Sequence, residues 1–285
     1  MSMKHEITQI APRTWCISEF RLVNAFLVEG DERAALIDTC CGIGDLAGVV
    51  RELTDKPLTV IITHGHFDHD GGMYQFAGVE TYLNPLDGNN MEFTLQRMEK
   101  MFGSADMNQM RKYYTTSRLP IRWPEANVDE VLAMIPTEPT NDRYEWKPMT
   151  DGTEIDLGGR VLKIIHTPGH TPGEVCVLDE QSRILFGGDT SNQSIILMRQ
   201  PNNGTALIEE ANRTMTKIWG YADKFDKIGV GHDTITLDKQ IVKDYVDLTA
   251  GLLDGSIVGA YEETGFRKGD VARLGLAELW YQCDA

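Results

Sequence analysis

The sequence predicts an α/β fold in which two β-sheets pack face to face with helices on the outside. Three observations carry this. Short apolar and β-branched runs bounded by turn residues come in two groups, at 14–64 and 154–188. Segments of helical spacing separate and follow the two groups, a pattern that layers helices against sheets. Hydrophobic residues make up 41% of the 285, with no low-complexity tract and no Pro- or Ser-rich linker. One domain over 1–285 with a sizeable shared core is therefore expected.

The elements follow in order. TWCISEF (14–20), LVNAFLVEG (22–30) and RAALIDT (33–39) read as strands, with EGDER as a turn between the last two. A helix is expected over 45–53. LTVIITH (58–64) reads as a fully buried strand that ends where a histidine-rich loop begins. Met91, Leu95, Met98 and Phe102 recur at helical spacing and predict an amphipathic helix, with a second over 106–116. Strands return at EIDL (154–157), VLKIIHT (161–167), EVCVLDE (174–180) and RILFGG (183–188). A helix over 205–222, a strand over 225–231 and a long helix over 237–255 follow, with Gly255 as its stop. Residues 236–285 are expected to add that helix and short strands beside the sandwich.

Charge and cysteine usage narrow the function. A formal net charge of −16 disfavours nucleic acid and anionic membranes as partners. No stretch reaches the roughly 18 apolar residues of a membrane span, and MSMKHEITQI lacks the apolar core of a signal peptide. The expectation is a cytoplasmic protein. Cys16, Cys40, Cys41, Cys176 and Cys283 are odd in number and scattered, which suits reduced thiols.

The chemistry concentrates in THGHFDHDGG (63–72), which holds three of the seven histidines. Imidazole and carboxylate are ligands for zinc and other divalent metals. On an extended chain His64, His66 and Asp68 point to one side, and His69 serves a neighbouring point only if the chain turns. Gly71 and Gly72 are expected to supply a tight turn into a following helix. Further donors are needed for two metals. His170 in HTPGHTPG, Asp189 after RILFGG and His232 after IGVG each lie beside glycine at the end of a β-like run. His5 and His166 are better read as packing residues.

THGHFDH, TPGHTPG, LFGGDT and VGH, in this order, resemble the metallo-β-lactamase superfamily of hydrolases over most of residues 14–235. The resemblance implies a four-layer αββα sandwich of two mixed sheets with the metal site at one edge. It implies His64, His66 and His170 on one metal, Asp68, His69 and His232 on a second, and Asp189 bridging both. It also implies that Asp38, in LIDT, hydrogen-bonds a ligand histidine and fixes its tautomer. The bridging aspartate is usual in the glyoxalase II-like, lactonase and nucleic-acid-processing branches, and argues against β-lactam hydrolysis.

Two divalent ions sharing a carboxylate and a water bring that water's pKa towards neutrality, so a metal-activated hydroxide is the expected nucleophile. Asp68 is the candidate to orient it and accept its proton. Zinc is the first expectation for the metals, with iron or manganese as alternatives. The expected activity is hydrolysis of a small ester, thioester or lactone. Phosphodiester or phosphoryl hydrolysis is the first alternative, and a mono-iron, dioxygenase-like redox enzyme the second.

Residues 84–150 form a long insert holding Met91, Met98, Met101, Met107, Met110, Met134 and Met149 with several aromatics. Adaptable methionines suit a helical cover over an apolar substrate pocket, and equally suit ordinary packing or a homodimer contact. Arg97, Lys100, Arg111, Lys112, Arg118 and Arg122 face only Glu99 and Asp106 across 97–122. This local excess of positive charge suits an anionic or acyl small-molecule substrate, and a solvated helix face as well. Arg118, Arg122, Tyr113 and Tyr114 are the candidate substrate contacts.

Overall fold

A computed structural model of the chain describes residues 3–88, 90–140, 143–198, 204–264 and 267–284. The side chains of Met91, Phe93, Arg97 and Cys283 lie outside the described set.

The first run of strands is β1 (Glu6–Ala11), β2 (Thr14–Glu19), β3 (Val23–Glu29), β4 (Ala34–Ile37), β5 (Leu58–Ile61), β6 (Glu80–Leu83) and β7 (Lys147–Pro148). They form one mixed sheet in sequence order. β1 to β4 pair antiparallel, and β4 to β7 pair parallel. The second run is β8 (Glu154–Asp156), β9 (Val161–His166), β10 (Val175–Asp179), β11 (Ile184–Phe186), β12 (Ser194–Met198), β13 (Lys227–Gly229) and β14 (Thr236–Asp238). All but β12 make a second mixed sheet in the order β14-β13-β11-β10-β9-β8.

Both sheets are covered on both faces, which is why their strands read as nearly unbroken apolar runs. Phe26, Val28, Ile37 and Ile61 of the first sheet meet Ile164, Val177 and Phe186 of the second in a core between the sheets. The Phe26 and Phe186 rings sit 5.0 Å apart. On the outer face of the first sheet lies α1 (Leu46–Leu53), started by the Asp45 carboxylate on the Gly48 amide at 2.7 Å. The short α2 (Phe67–Asp70) carries the histidine motif. Helices α3 (Asn90–Phe102), α4 (Met107–Ser117), α5 (Leu119–Arg122) and α6 (Val128–Leu132) make up the insert. Met98, Met107, Met110 and Leu119 join the core on that outer face, so most of the described insert methionines pack ordinarily. Met149, counted with the insert, instead lies between the two sheets. Outside the second sheet pack α7 (Gly204–Trp219) and α8 (Gln240–Asp254). Gly255 ends α8 with φ +80°, a left-handed value that glycine adopts without steric cost. The four layers are the expected αββα sandwich. No helix among the described residues is long and apolar enough to cross a membrane.

The C-terminal part departs from expectation. β15 (Ala260–Thr264), β16 (Arg267–Leu274) and β17 (Ala277–Asp284) join β12 in a third sheet, ordered β12-β17-β16-β15. Two of its strands run to eight residues. β12 pairs parallel with β17, Ser194 against Glu278, a non-local pairing that local periodicity does not announce. The strands β1, β6, β7 and β12 likewise lie outside the sequence-based expectation. Residues 237 and 238, expected to open the long helix, instead belong to β14 at the edge of the second sheet.

Candidate metal centre

The chain leaves β5 at Ile61, bends at Thr63 and His64, and turns helical at Phe67, with His66 as the capping residue. Asp68 therefore projects from α2, beside His69, and not from an extended segment as alternation alone suggests. Gly71 and Gly72 have ordinary right-handed helical backbones. They are needed for close approach: a Cβ on Gly72 would lie 2.1 Å from the Thr39 carbonyl oxygen, and one on Gly71 2.7 Å from that of Cys41.

All seven predicted donors converge. His66 Nδ1 lies 3.1 Å from His64 Nε2 and 2.9 Å from His170 Nε2. His232 Nε2 lies 3.3 Å from Asp68 Oδ2. Asp189 stands between the two groups. Its Oδ1 is 3.3 Å from His69 Nε2 and 3.4 Å from His232 Nε2, and its Oδ2 is 3.5 Å from His170 Nε2. Three sets have ligand atoms within 4.8 Å of one another: His64, His66 and His170; His64, His69 and Asp189; and Asp68, His69 and His232.

The rings are held from behind. His69 Nδ1 donates to Asp38 Oδ2 at 2.7 Å, His232 Nδ1 to the Leu22 carbonyl at 2.7 Å, and His170 Nδ1 to the Ile196 carbonyl at 3.0 Å. These partners only accept, so each Nδ1 carries a proton, and Nε2 is the nitrogen that can present a lone pair. The Thr63 hydroxyl donates to Asp38 Oδ2 at 2.8 Å and so accepts from His64 Nδ1 at 3.2 Å, giving His64 the same tautomer. One proton at most, on His66 Nδ1, can serve two lone-pair contacts. His69 Nε2 is buried without a hydrogen bond. Such a donor set fits a cation, which satisfies several lone pairs at once.

Electrostatics divide the histidines. Burial, helped by the neighbouring imidazoles, pushes His64 well below its ordinary pKa and His66 down to about 3. Burial also opposes protonation of His69 and His232, but carboxylates outweigh it. Asp38 and Asp189 raise His69 well above its usual range, and Asp189 with Asp68 raises His232 to about 9. Burial works to raise Asp68 and Asp189, yet their histidine partners keep both well below the ordinary carboxylate range.

Several contributors had no signal in the sequence. Asp87 is buried and accepts from the Gly65 amide (3.1 Å), the Thr171 hydroxyl (2.7 Å) and the Gly173 amide (2.8 Å). It thereby ties the loop of His64 and His66 to that of His170. Glu174, fully buried, accepts from the Asp189 amide at 2.9 Å. Asn192 Nδ2 donates to Asp189 Oδ1 at 2.7 Å. The packing residues stand apart: His166 Nε2 bonds the Pro172 carbonyl, and His5 stacks on Phe20.

A cavity of about 320 Å³ opens onto the donors. Tyr113, Tyr114, Arg118 and Arg122 line it, with Met101 and Met110 of the insert. The Tyr114 hydroxyl donates to Asp68 Oδ2 at 3.1 Å. Arg111 is a correction to the basic cluster. It is fully buried and donates to the Cys41 carbonyl at 2.8 Å and the Gly71 carbonyl at 2.7 Å, so it clamps α4 to the histidine loop and cannot meet a substrate. Lys100 and Lys112 are exposed and do not line the cavity. Cys40 and Cys41 are fully buried, with thiols pushed well up by burial, as small apolar residues.

Comparisons with known proteins give the chain's relatives in sequence and in fold. Acyl-coenzyme A thioesterase MBLAC2 of Bos taurus is 30% identical over 182 residues, which are 58% of this chain and 57% of that protein. The chain thus spans little more than half the length of that relative. Hydroxyacylglutathione hydrolase GloC of Haemophilus influenzae is 27% identical over 170 residues, 58% of this chain and 65% of that protein. In fold, the metallo-beta-lactamase from Pontibacter korlensis superposes with a TM-score of 0.54 at 18% identity, covering 87% of this chain and 99% of that one. The sequence profile of the metallo-beta-lactamase superfamily matches residues 19–249, and the chain belongs to that superfamily.

Proposed function

We propose that this protein is a dinuclear metal-dependent hydrolase of a small thioester, with simple esters and lactones as the neighbouring classes. The observation that carries the reading is the convergence of seven donors, with the Nδ1 atoms of His69, His170 and His232 tied to fixed acceptors so that their Nε2 atoms face the cluster. His64, His66 and His170 would hold one ion, and Asp68, His69 and His232 the other, with Asp189 shared. Zinc suits this nitrogen-rich set first. Bound there, divalent cations supply a nucleophile from water at neutral pH and polarise the substrate carbonyl.

The chain's own residues do the rest. Asp68 is kept ionised by His232 and oriented by the Tyr114 hydroxyl, so it is placed to receive a proton from the attacking water. Asn192 holds the Asp189 carboxylate from the cavity side. Phe67, Met101, Met110 and Ile196 present apolar surface to the acyl group and limit water around it. The thioesterase and glyoxalase-type relatives support a thioester as the first substrate class.

Metal analysis of the purified protein, with a screen of p-nitrophenyl esters, acyl-coenzyme A thioesters, homoserine lactones and bis-p-nitrophenyl phosphate, tests the reading. Two metals per chain and thioester turnover are expected, and Asp189→Ala lowers both. A single iron per chain, or an Asp189→Ala protein that keeps its metals and its turnover, would contradict it.

A further inference from the structure

One wall of the cavity gathers three guanidinium groups from distant parts of the chain. Arg118 and Arg122 come from the ends of α5, and Arg267 from the start of β16 in the third sheet. Arg118 lies over the Tyr114 ring at 4.0 Å, and the Tyr114 hydroxyl touches Asp68. Arg122 Nη1 pairs with Asp233 at 2.7 Å, and Asp233 directly follows His232. Arg267 Nη1 donates to Ser194 Oγ at 2.7 Å and lies 3.5 Å from Glu278. The arginines therefore flank the donor cluster.

Like charges in a partly buried wall repel, and low local polarity strengthens the repulsion. The Arg267 guanidinium registers it. Burial lowers its pKa first, Asp233 and Glu278 hold it up, and Arg122 and Arg118 push it down again. Asp68 acts on Arg118 through its charge, and Glu278 is shared with Arg273 at 2.7 Å. In a chain of net charge −16, three guanidinium groups gathered on one cavity wall are a local exception.

We propose that Arg118, Arg122 and Arg267 form an anion subsite, which takes a carboxylate or phosphate group of the substrate while the acyl carbon lies at the donor cluster. Guanidinium groups recognise both oxyanions through paired, charge-assisted hydrogen bonds. The cavity, about 320 Å³, leaves room for a short acyl group with one charged end. Arg122 exchanges Asp233 for the incoming anion, so Asp233 holds the guanidinium in place beforehand. The inference rests on the thioester-hydrolase reading for the identity of the substrate, but the anion site itself is testable without turnover.

The test compares three thioesters on the metal-loaded protein: S-butyryl-N-acetylcysteamine, which is neutral; S-succinyl-N-acetylcysteamine, with a carboxylate on the acyl part; and butyryl-coenzyme A, with phosphates on the carrier. Arg267→Gln and Arg122→Gln, on separate elements, are each expected to lower the charged-to-neutral ratio of kcat/KM by about ten- to a hundredfold, the loss of a hydrogen bond to a charged group. A drop for the succinyl substrate assigns the subsite to an acyl carboxylate, and a drop for the coenzyme A substrate assigns it to a carrier phosphate. Equal losses on charged and neutral substrates in both variants would overturn the proposal. If the wild type turns over none of the three, the thioester reading fails and calorimetry decides the subsite. Propane-1-sulfonate, a poor metal ligand, should bind the wild type more tightly than its neutral sulfonamide and lose that margin in Arg267→Gln. Equal binding of the two probes to the wild type would overturn the subsite itself.

Discussion

Asp38→Asn isolates the contribution of a single proton position to the donor cluster. Asp38 has φ +62°, a left-handed backbone that asparagine tolerates and alanine does not, so the amide variant keeps the chain in place. In the native protein Oδ1 accepts from the Thr63 amide at 2.7 Å, and Oδ2 accepts from both the Thr63 hydroxyl and His69 Nδ1. The backbone amide can only donate, so the substituted side chain must keep its oxygen there and present its NH2 group to the other two. The Thr63 hydroxyl can rotate, but His69 must then place its proton on Nε2, facing Asp189 and the metal position. A ligand in the wrong tautomer, or one left without its orienting partner, costs metal affinity about ten- to a hundredfold, or roughly 1.4–2.7 kcal/mol. The metal-free fold also loses a charge-assisted bond, about 1.5–3 kcal/mol. Competition with a chelator of known zinc affinity reads the first quantity, and urea unfolding of the metal-free protein reads the second. Two zinc ions bound to Asp38→Asn with native affinity would refute the tautomer argument.

Three further predictions use the same geometry. A Cβ on Gly231 would lie 2.7 Å from Asp189 Oδ1 and 2.8 Å from His69 Cε1, so Gly231→Ala displaces both donors. A fall of about a hundredfold in kcat/KM with unchanged circular dichroism is expected, and native kinetics would count against this packing. Arg111→Met leaves the buried Cys41 and Gly71 carbonyls without their donor, which should cost about 2–5 kcal/mol in urea denaturation. A loss below about 1 kcal/mol would mean that the insert is held mainly by its apolar face. Finally, Asp189 and Asp68 raise His232 to about 9, so its Nε2 holds a proton at pH 7 without metal, and Asp38 and Asp189 shift His69 in the same direction. A cation must displace that proton, so apparent affinity rises with pH up to about 9 and loading releases protons. Zinc titration in buffers of different ionisation heat measures the release, and affinity independent of pH between 6 and 8.5 would dismiss it.

The helices at 45–53 and 106–116 were readable because an aspartate that caps the first turn precedes an amphipathic run, and both caps are seen at Asp45 and Asp106. The strands of the two main sheets were readable because burial on both faces leaves a continuous apolar signature. The short strands β6 and β7, and the edge strand β14, were not legible because two to four residues carry too little periodicity to stand out. Likewise, the positions of Gly71 and Gly72 were plain, but the reason for them was not. Close approach of Thr39 and Cys41, and not a left-handed turn, excludes a side chain there.

Taken alone, the order of residues predicted two packed sheets with outer helices and singled out seven donors that converge: His64, His170, Asp189 and His232 follow β-like runs, and His66, Asp68 and His69 share one motif with His64. The resemblance to the metallo-β-lactamase superfamily also implied that Asp38 bonds a ligand histidine, and the structure identifies that histidine as His69. Tertiary structure alone decided what surrounds them. Asp87 lies 22 residues from Gly65 and 86 from Gly173, yet joins their two loops. Arg267 reaches the cavity wall only because β12 pairs with β17, bringing Ser194 to Glu278 across 84 residues. Periodicity records which face of an element is buried. It carries no record of which distant element does the burying, and the walls of this cavity are made of such distant pairs.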